Sequence, residues 1–190
     1  MAVNFESENT VLRLWLQLRR VGETLALCQD SIYRKYGLTS EQFAVLAALK
    51  SRGPLRPSDL AALLERRPNS MSTQVDRMVK AGLVVRRRDT KDRRVVRVFM
   101  TINGETRIGP AIVAGWEHIN KVLSTVSEND RRSLASILEK VKCELLACEN
   151  PEMDKAEILQ KSITNQPGLY ERMLKNLLPS GYEPKRKYNK

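Results

Sequence analysis

Residues 69 to 94 hold the side chains with the clearest chemical potential. Asn69, Ser70, Ser72 and Thr73 crowd short hydrogen-bonding groups into one stretch, Arg77 follows, and Arg86-Arg87-Arg88 and Arg93-Arg94 come after. Guanidinium groups suit bidentate contact with phosphate oxygens, and short hydroxyl or amide side chains can reach base edges or cap a helix. That chemistry holds a polyanion; it does not break bonds. No nucleophile-base set, P-loop or other glycine-rich phosphate motif appears in the chain, so nothing points to an enzyme. His118 is the single histidine, and with no Cys, Asp or Glu at ligand spacing around it neither a metal nor another cofactor is expected.

Charge is concentrated where those residues lie. The formal net charge is +11. Residues 52 to 97 hold thirteen Lys and Arg against five Asp and Glu, residues 179 to 190 hold four against one, and the remainder balances. A merely solvated surface would spread the excess; segregation marks a place where phosphates can sit.

The elements that must position these groups follow from periodicity. Val11, Leu14, Leu18, Val21, Leu25, Cys28 and Ile32 recur at alternating steps of three and four, a narrow helix-packing seam. Gly37-Leu38 breaks that helix, and Thr39 with Gln42 has the spacing of a capping box opening a second one through Phe43, Val45, Leu46 and Leu49. Pro57 and Asp59 suit the start of a third helix over 57–65. A fourth over 69–81 turns Met71, Val75 and Met78 inward and stops at Gly82. The period then changes to that of a β-hairpin, 83–100, rich in β-branched residues. Thr101 to Val126 is helical again, and Ser127 with Asp130 opens a last helix whose Leu134, Leu138, Val141, Leu145 and Cys148 repeat the seam. The expected fold class is mainly α with a small β-hairpin wing (α+β): a winged helix-turn-helix plus a helical dimerisation region.

At this point a resemblance becomes specific. Asp89-x-x-Asp92-Arg93-Arg94-x-x-x-Val98-x-Met100-Thr101-x-x-Gly104, preceded by Val75-Asp76-Arg77-Met78-Val79-Lys80-Ala81-Gly82-Leu83-Val84, resembles the wing signature of the MarR family of transcriptional regulators. Leu38-Thr39-x-x-Gln42-x-x-Val45-Leu46 is similar to that family's second-helix motif, and the likeness runs from residue 11 to 148. Met100 replaces the usual Leu, and Gln74 stands at a position commonly apolar. The resemblance implies that Asn69, Ser70, Ser72, Thr73 and Arg77 lie on a recognition helix, that Arg93 and Arg94 at the wing tip reach the minor groove or its phosphates, and that Asp92 braces an arginine there. Arg86, Arg87 and Arg88 are expected to touch backbone phosphates. For the serines, simple helix capping is the competing reading.

The two seams resemble the interlocked helices of MarR-like dimers, with Val11, Leu14, Leu18, Leu134, Leu138, Val141 and Leu145 as the expected contacts. Packing within one chain would use the same periodicity. The expected division is 1–37, N-terminal dimerisation helix; 38–101, DNA-binding lobe; 102–150, C-terminal dimerisation helices; 151–190, a helical extension with a basic, mobile end.

The implied function is sequence-specific binding of double-stranded DNA by a homodimer. The resemblance further implies a repressor that a small aromatic ligand releases from a pseudo-palindromic operator. A winged-helix interaction module without operator readout is the alternative from another class. A redox sensor built on Cys28, followed by Tyr33 and Tyr36, is a third that the resemblance suggests; the place of Cys28 in the apolar seam argues instead for a small buried hydrophobe. Neither an apolar run of membrane-spanning length nor a signal-peptide pattern is present, so no membrane partner and a cytoplasmic location are expected.

Overall fold

A computed structural model describes residues 5–149 apart from Lys91. The expectations for 151–190 lie outside the described residues. The order is α1 (Phe5–Arg34), α2 (Ser40–Arg52), α3 (Pro57–Leu63), α4 (Pro68–Lys80), β1 (Val84–Arg88), β2 (Val96–Met100), α5 (Ile102–Leu123) and α6 (Glu128–Glu149). The winged helix-turn-helix architecture is as expected, with α4 beginning one residue earlier, at Pro68, whose ring suits a first helical turn.

Local chemistry sets the boundaries. The Thr39 hydroxyl accepts from the Gln42 amide at 3.2 Å while the Gln42 side chain accepts from the Thr39 amide at 2.9 Å, so both halves of the capping box form. Past α4, Gly82 has φ of 68°, a left-handed geometry that costs glycine nothing and lets Leu83 turn back into the core. The Thr101 hydroxyl accepts from the Gly104 amide at 3.1 Å and donates to the Gly82 carbonyl at 2.7 Å, which welds the wing's end to α5. A Cβ on Gly104 would stand 2.4 Å from the Leu83 carbonyl oxygen, so only glycine fits where α5 meets β1.

β1 and β2 form an antiparallel pair with Val84 opposite Met100 and Arg86 opposite Val98. Val98 also donates its amide to the Leu55 carbonyl at 2.8 Å, pinning the hairpin to the α2–α3 connection. The core is built from Leu46, Leu60, Met71, Val75, Met78, Leu83, Val84, Val98 and Ile108, all nearly or fully excluded from solvent. Tyr33, near the end of α1, closes its upper edge: the ring stacks on Phe43 of α2 at 3.8 Å between centroids, 6° from parallel, and abuts Gly115 of α5.

Beyond that core the burial pattern changes. No described residue of α6 is buried, nor is any described α1 residue before Tyr33. Val11 is 67% exposed and Val21 65%, and Leu14, Leu25, Leu134, Leu138 and Leu145 are also exposed, while Leu18 and Val141 are half-buried. Both seams therefore carry apolar surface that one chain does not cover. None of the described helices is long and apolar enough to cross a membrane.

Candidate nucleic-acid interface

Helix α4 presents three distinct faces. Met71, Val75 and Met78 are buried, as their spacing predicts. Opposite them stand Asn69, Thr73, Asp76, Arg77 and Lys80, all exposed. Ser70, Thr73, Gln74 and Arg77 line a cavity of about 530 Å³ shared with Gln29 of α1, Ser40, Glu41, Ala44 and Val45 of α2, and Leu64 and Arg66 of the α3–α4 turn. Gln74, where the resemblance anticipates an apolar residue, is half-buried on this flank.

None of the serines caps the helix. The residue before α4 is Arg67, which makes no side-chain capping bond, and Pro68 contributes no amide. Asn69 and Ser70 are exposed residues of this first turn, at the positive end of the helix dipole, a setting that suits an anion. Thr73 donates its hydroxyl to the Asn69 carbonyl at 3.1 Å, keeping the oxygen's lone pairs outward.

On the other flank Arg86 departs from its expected role. Its guanidinium lies 3.1 Å from the Asp76 carboxylate and donates to both the Ser72 carbonyl and the Ser72 hydroxyl at 3.3 Å. Arg86 therefore fastens β1 to α4 in place of reaching out for phosphate, and Ser72, half-buried beneath it, faces the wing. The physical reason is register: position 86 alternates onto the side of β1 that faces α4, where a carboxylate and a helix carbonyl already wait. Arg87 is spent differently, lying over the Phe99 ring at 5.6 Å.

The wing tip leaves three arginines outward. Arg88, Arg93 and Arg94 are exposed, and none of their guanidinium groups has a partner among the described residues. The brace at the tip is distributed differently from expectation. Asp92 accepts from the Arg94 backbone amide at 2.9 Å and holds the turn, not a guanidinium; the arginine brace is the ion pair of Asp89 with Arg97, whose side chain also reaches the Pro54 carbonyl at 3.5 Å. A two-residue offset within an Asx-turn favours backbone over side chain as the acceptor's partner.

Sequence reasoning thus located the helix and wing but missed the Arg86–Asp76 tie and the Asp89–Arg97 brace. Lys80, seven residues after Thr73 and so on the same face, was findable from helical periodicity alone. The base of the lobe is held by Arg56, which pairs with Asp59 at 2.9 Å and keeps its carboxyl below the ordinary range. No group of three or more His, Cys, Asp or Glu side chains among the described residues is arranged for a metal. Cys28, Cys143 and Cys148 are all free thiols, the first two half-buried.

Comparison with known proteins places this arrangement. Residues 38–96 match the model of the MarR family. The chain is 31% identical over 107 residues to the HTH-type transcriptional repressor MdtR of Bacillus subtilis, covering 56% of this chain and 69% of that one. Among solved structures it is similar to a MarR family protein from Bacillus stearothermophilus, with 29% identity, a TM-score of 0.58, and 76% and 99% of the two chains covered. It shares its fold with a MarR mutant from E. coli complexed with operator DNA, at 20% identity and a TM-score of 0.63 over 74% and 99% of the chains. With its wing signature, its recognition helix and these relatives in agreement, the chain belongs to the MarR family.

Proposed function

We propose that this protein is a sequence-specific, DNA-binding transcriptional regulator that acts in the cytoplasm as a homodimer and represses from a pseudo-palindromic operator. The observation that carries the reading is the pairing of an exposed polar stripe on α4 with outward arginines on the adjoining wing that have no partner among the described residues. A helix with such a stripe fits a major groove about 12 Å wide, and arginines beside it suit flanking phosphates or a narrow minor groove. Asn69, Ser70, Thr73 and Arg77 read base edges or phosphates; Arg88, Arg93 and Arg94 hold the backbone; Asp92 keeps the tip in shape; Arg86 and Ser72 serve by fixing the wing to the helix. The name of MdtR and the operator DNA bound by the E. coli protein of the same fold support this assignment.

Residues 38–101 act as the DNA lobe, and 1–37 with 102–150 as the dimerisation frame. Val11, Leu14, Leu18, Leu134, Leu138, Val141 and Leu145 are the contacts of a two-fold partner, since a lone chain leaves most of them in water. The cavity behind α4 takes the small aromatic ligand. Because Ser70, Thr73 and Arg77 line it, an occupant engages side chains that DNA also needs. Titration of the promoter region beside the gene against random DNA tests the reading: preference for the promoter supports it. Equal binding to both would leave a winged-helix interaction module without operator readout.

A further inference from the structure

The turn between α3 and α4 contains a residue whose backbone does not suit its side chain. The chain reverses after α3 with the Arg66 amide donating to the Ala61 carbonyl at 2.8 Å and the Leu64 amide to the Leu60 carbonyl at 3.0 Å. Glu65, between them, has φ of 52°, and it is the one non-glycine residue with positive φ among the described residues. The position just past a helix end is ordinarily glycine's, because a Cβ in the left-handed region crowds the neighbouring carbonyl. A glutamate here serves the turn poorly.

Its side chain supplies another reason. The carboxylate lies 3.2 Å from the Nζ of Lys142 on α6, seventy-seven residues further along the chain. The Lys142 side chain is only 25% exposed, its stem sharing an apolar groove with Trp15, Leu18, Leu138, Val141 and Leu145. A surface ion pair adds little stability by itself. Its effect is geometric: it joins the helical frame to the turn immediately before Pro68, where α4 begins. The recognition helix is then gripped at its wing flank by Arg86 and at its leading end through Lys142.

We propose that Glu65 and Lys142 are positioning residues for the DNA contact, tying the helix-turn-helix turn to α6 so that the leading end of α4 follows the frame. The role rests on the DNA-reading function proposed above. Neither residue touches DNA itself, and both act through α4.

The test compares operator and random DNA for Glu65→Gln, Lys142→Gln, the double variant and the exchanged pair Glu65→Lys with Lys142→Glu. Each single change should weaken operator binding about three- to tenfold, the double variant should be no worse than the weaker single, and the exchange should restore most of the loss. Glu65→Gly, which suits the left-handed backbone and so keeps the turn, should lose as much as Glu65→Gln. Charge alone makes a different forecast: Glu65→Gln tightens binding, Lys142→Gln weakens it, and the exchange, which leaves the net charge unaltered, binds as the unaltered protein does, so the sign of the Glu65→Gln effect separates the two. That result, or unchanged affinity in all variants, overturns the proposal. Amide exchange over residues 64–70, read without DNA, should be faster in Lys142→Gln. Should the unaltered protein show no operator preference, the DNA reading falls, and this exchange experiment alone decides the tie: unchanged rates would refute it.

Discussion

Arg86 on the wing strand and Asp76 on the recognition helix form an ion pair at 3.1 Å, with the Ser72 carbonyl and hydroxyl completing the guanidinium's contacts. A carboxylate on the exposed face of α4 is unfavourable for phosphate attraction, so its presence there calls for a structural return. Asp76→Ala is therefore expected to weaken DNA binding although it raises the net charge, because the wing loses its fixed angle to α4. Arg86→Ala should weaken binding comparably and leave the salt slope nearly unchanged. Titrations at two or more salt concentrations check both; tighter binding by Asp76→Ala would remove the bracing role.

The wing tip should respond to mutation in another way. Arg93→Ala and Arg94→Ala are each expected to lower affinity on operator and random DNA alike and to reduce the salt slope by about 1 per lost phosphate contact. Asp92→Ala removes the acceptor for the Arg94 amide and should also weaken binding, against the direction of its charge change. A slope that stays constant in the arginine variants would place the tip away from DNA.

Base reading has its own signature. Thr73→Ala or Arg77→Ala should cost roughly 1–3 kcal/mol on the operator and much less on random DNA. Loss of equal size on both would mean that α4 contacts only the backbone.

Dimerisation is expected to depend on the two seams. Leu138→Glu combined with Leu145→Glu places charge in an apolar stripe that is already exposed in one chain, so the fold should survive while the dimer does not. Sedimentation gives the oligomeric state and circular dichroism the helicity. A helical monomer that still binds operator tightly would contradict the two-fold arrangement.

A pH dependence follows from Asp59. The side-chain hydrogen bond from Arg56 holds its carboxyl below the ordinary value of 3.8, with a backbone hydrogen bond from Arg56 and the charge of Arg97 adding to it. A carboxyl depressed in the folded state contributes stability that is present above the unfolded value and lost as pH falls through the folded one. Asp59→Asn should thus lower Tm at neutral pH, and the difference from the unaltered protein should shrink below pH 3.8. A difference that grows in acid would show that Asp59 acts through packing and not through its charge.

The parts legible in the sequence were those that local rules determine. Thr39 and Gln42 announce a helix start because their bonds span three residues, and Met71, Val75 and Met78 announce a buried face because one helix period relates them. The Arg86–Asp76 and Glu65–Lys142 pairs were not legible, since each joins elements whose approach is decided by packing of the whole lobe. Arg86, Arg87 and Arg88 look equivalent as a run of three. Only the strand's alternation and the identity of its neighbours separate one tied to α4, one laid over Phe99 and one left outward. Asp92 and Asp89 were exchangeable for the same reason: which carboxylate meets a guanidinium depends on the hairpin register, with Arg87 opposite Arg97.

Tyr33 has a mechanical consequence. Its ring lies flat on Phe43 of α2 while its edge meets Gly115 of α5, where a Cβ would stand 3.2 Å from the ring. Burial pushes its hydroxyl's pKa up from the ordinary value of 10.0, in keeping with a dry joint. Sliding the lobe along the frame would separate the stacked faces and expose both rings, whereas turning it about the ring normal keeps them in contact. A turn of the lobe about that normal would sweep the wing in proportion to its distance from Tyr33. In the proposed dimer, two such turns would change the span between the two copies of α4, the quantity that the helical repeat of DNA leaves least free.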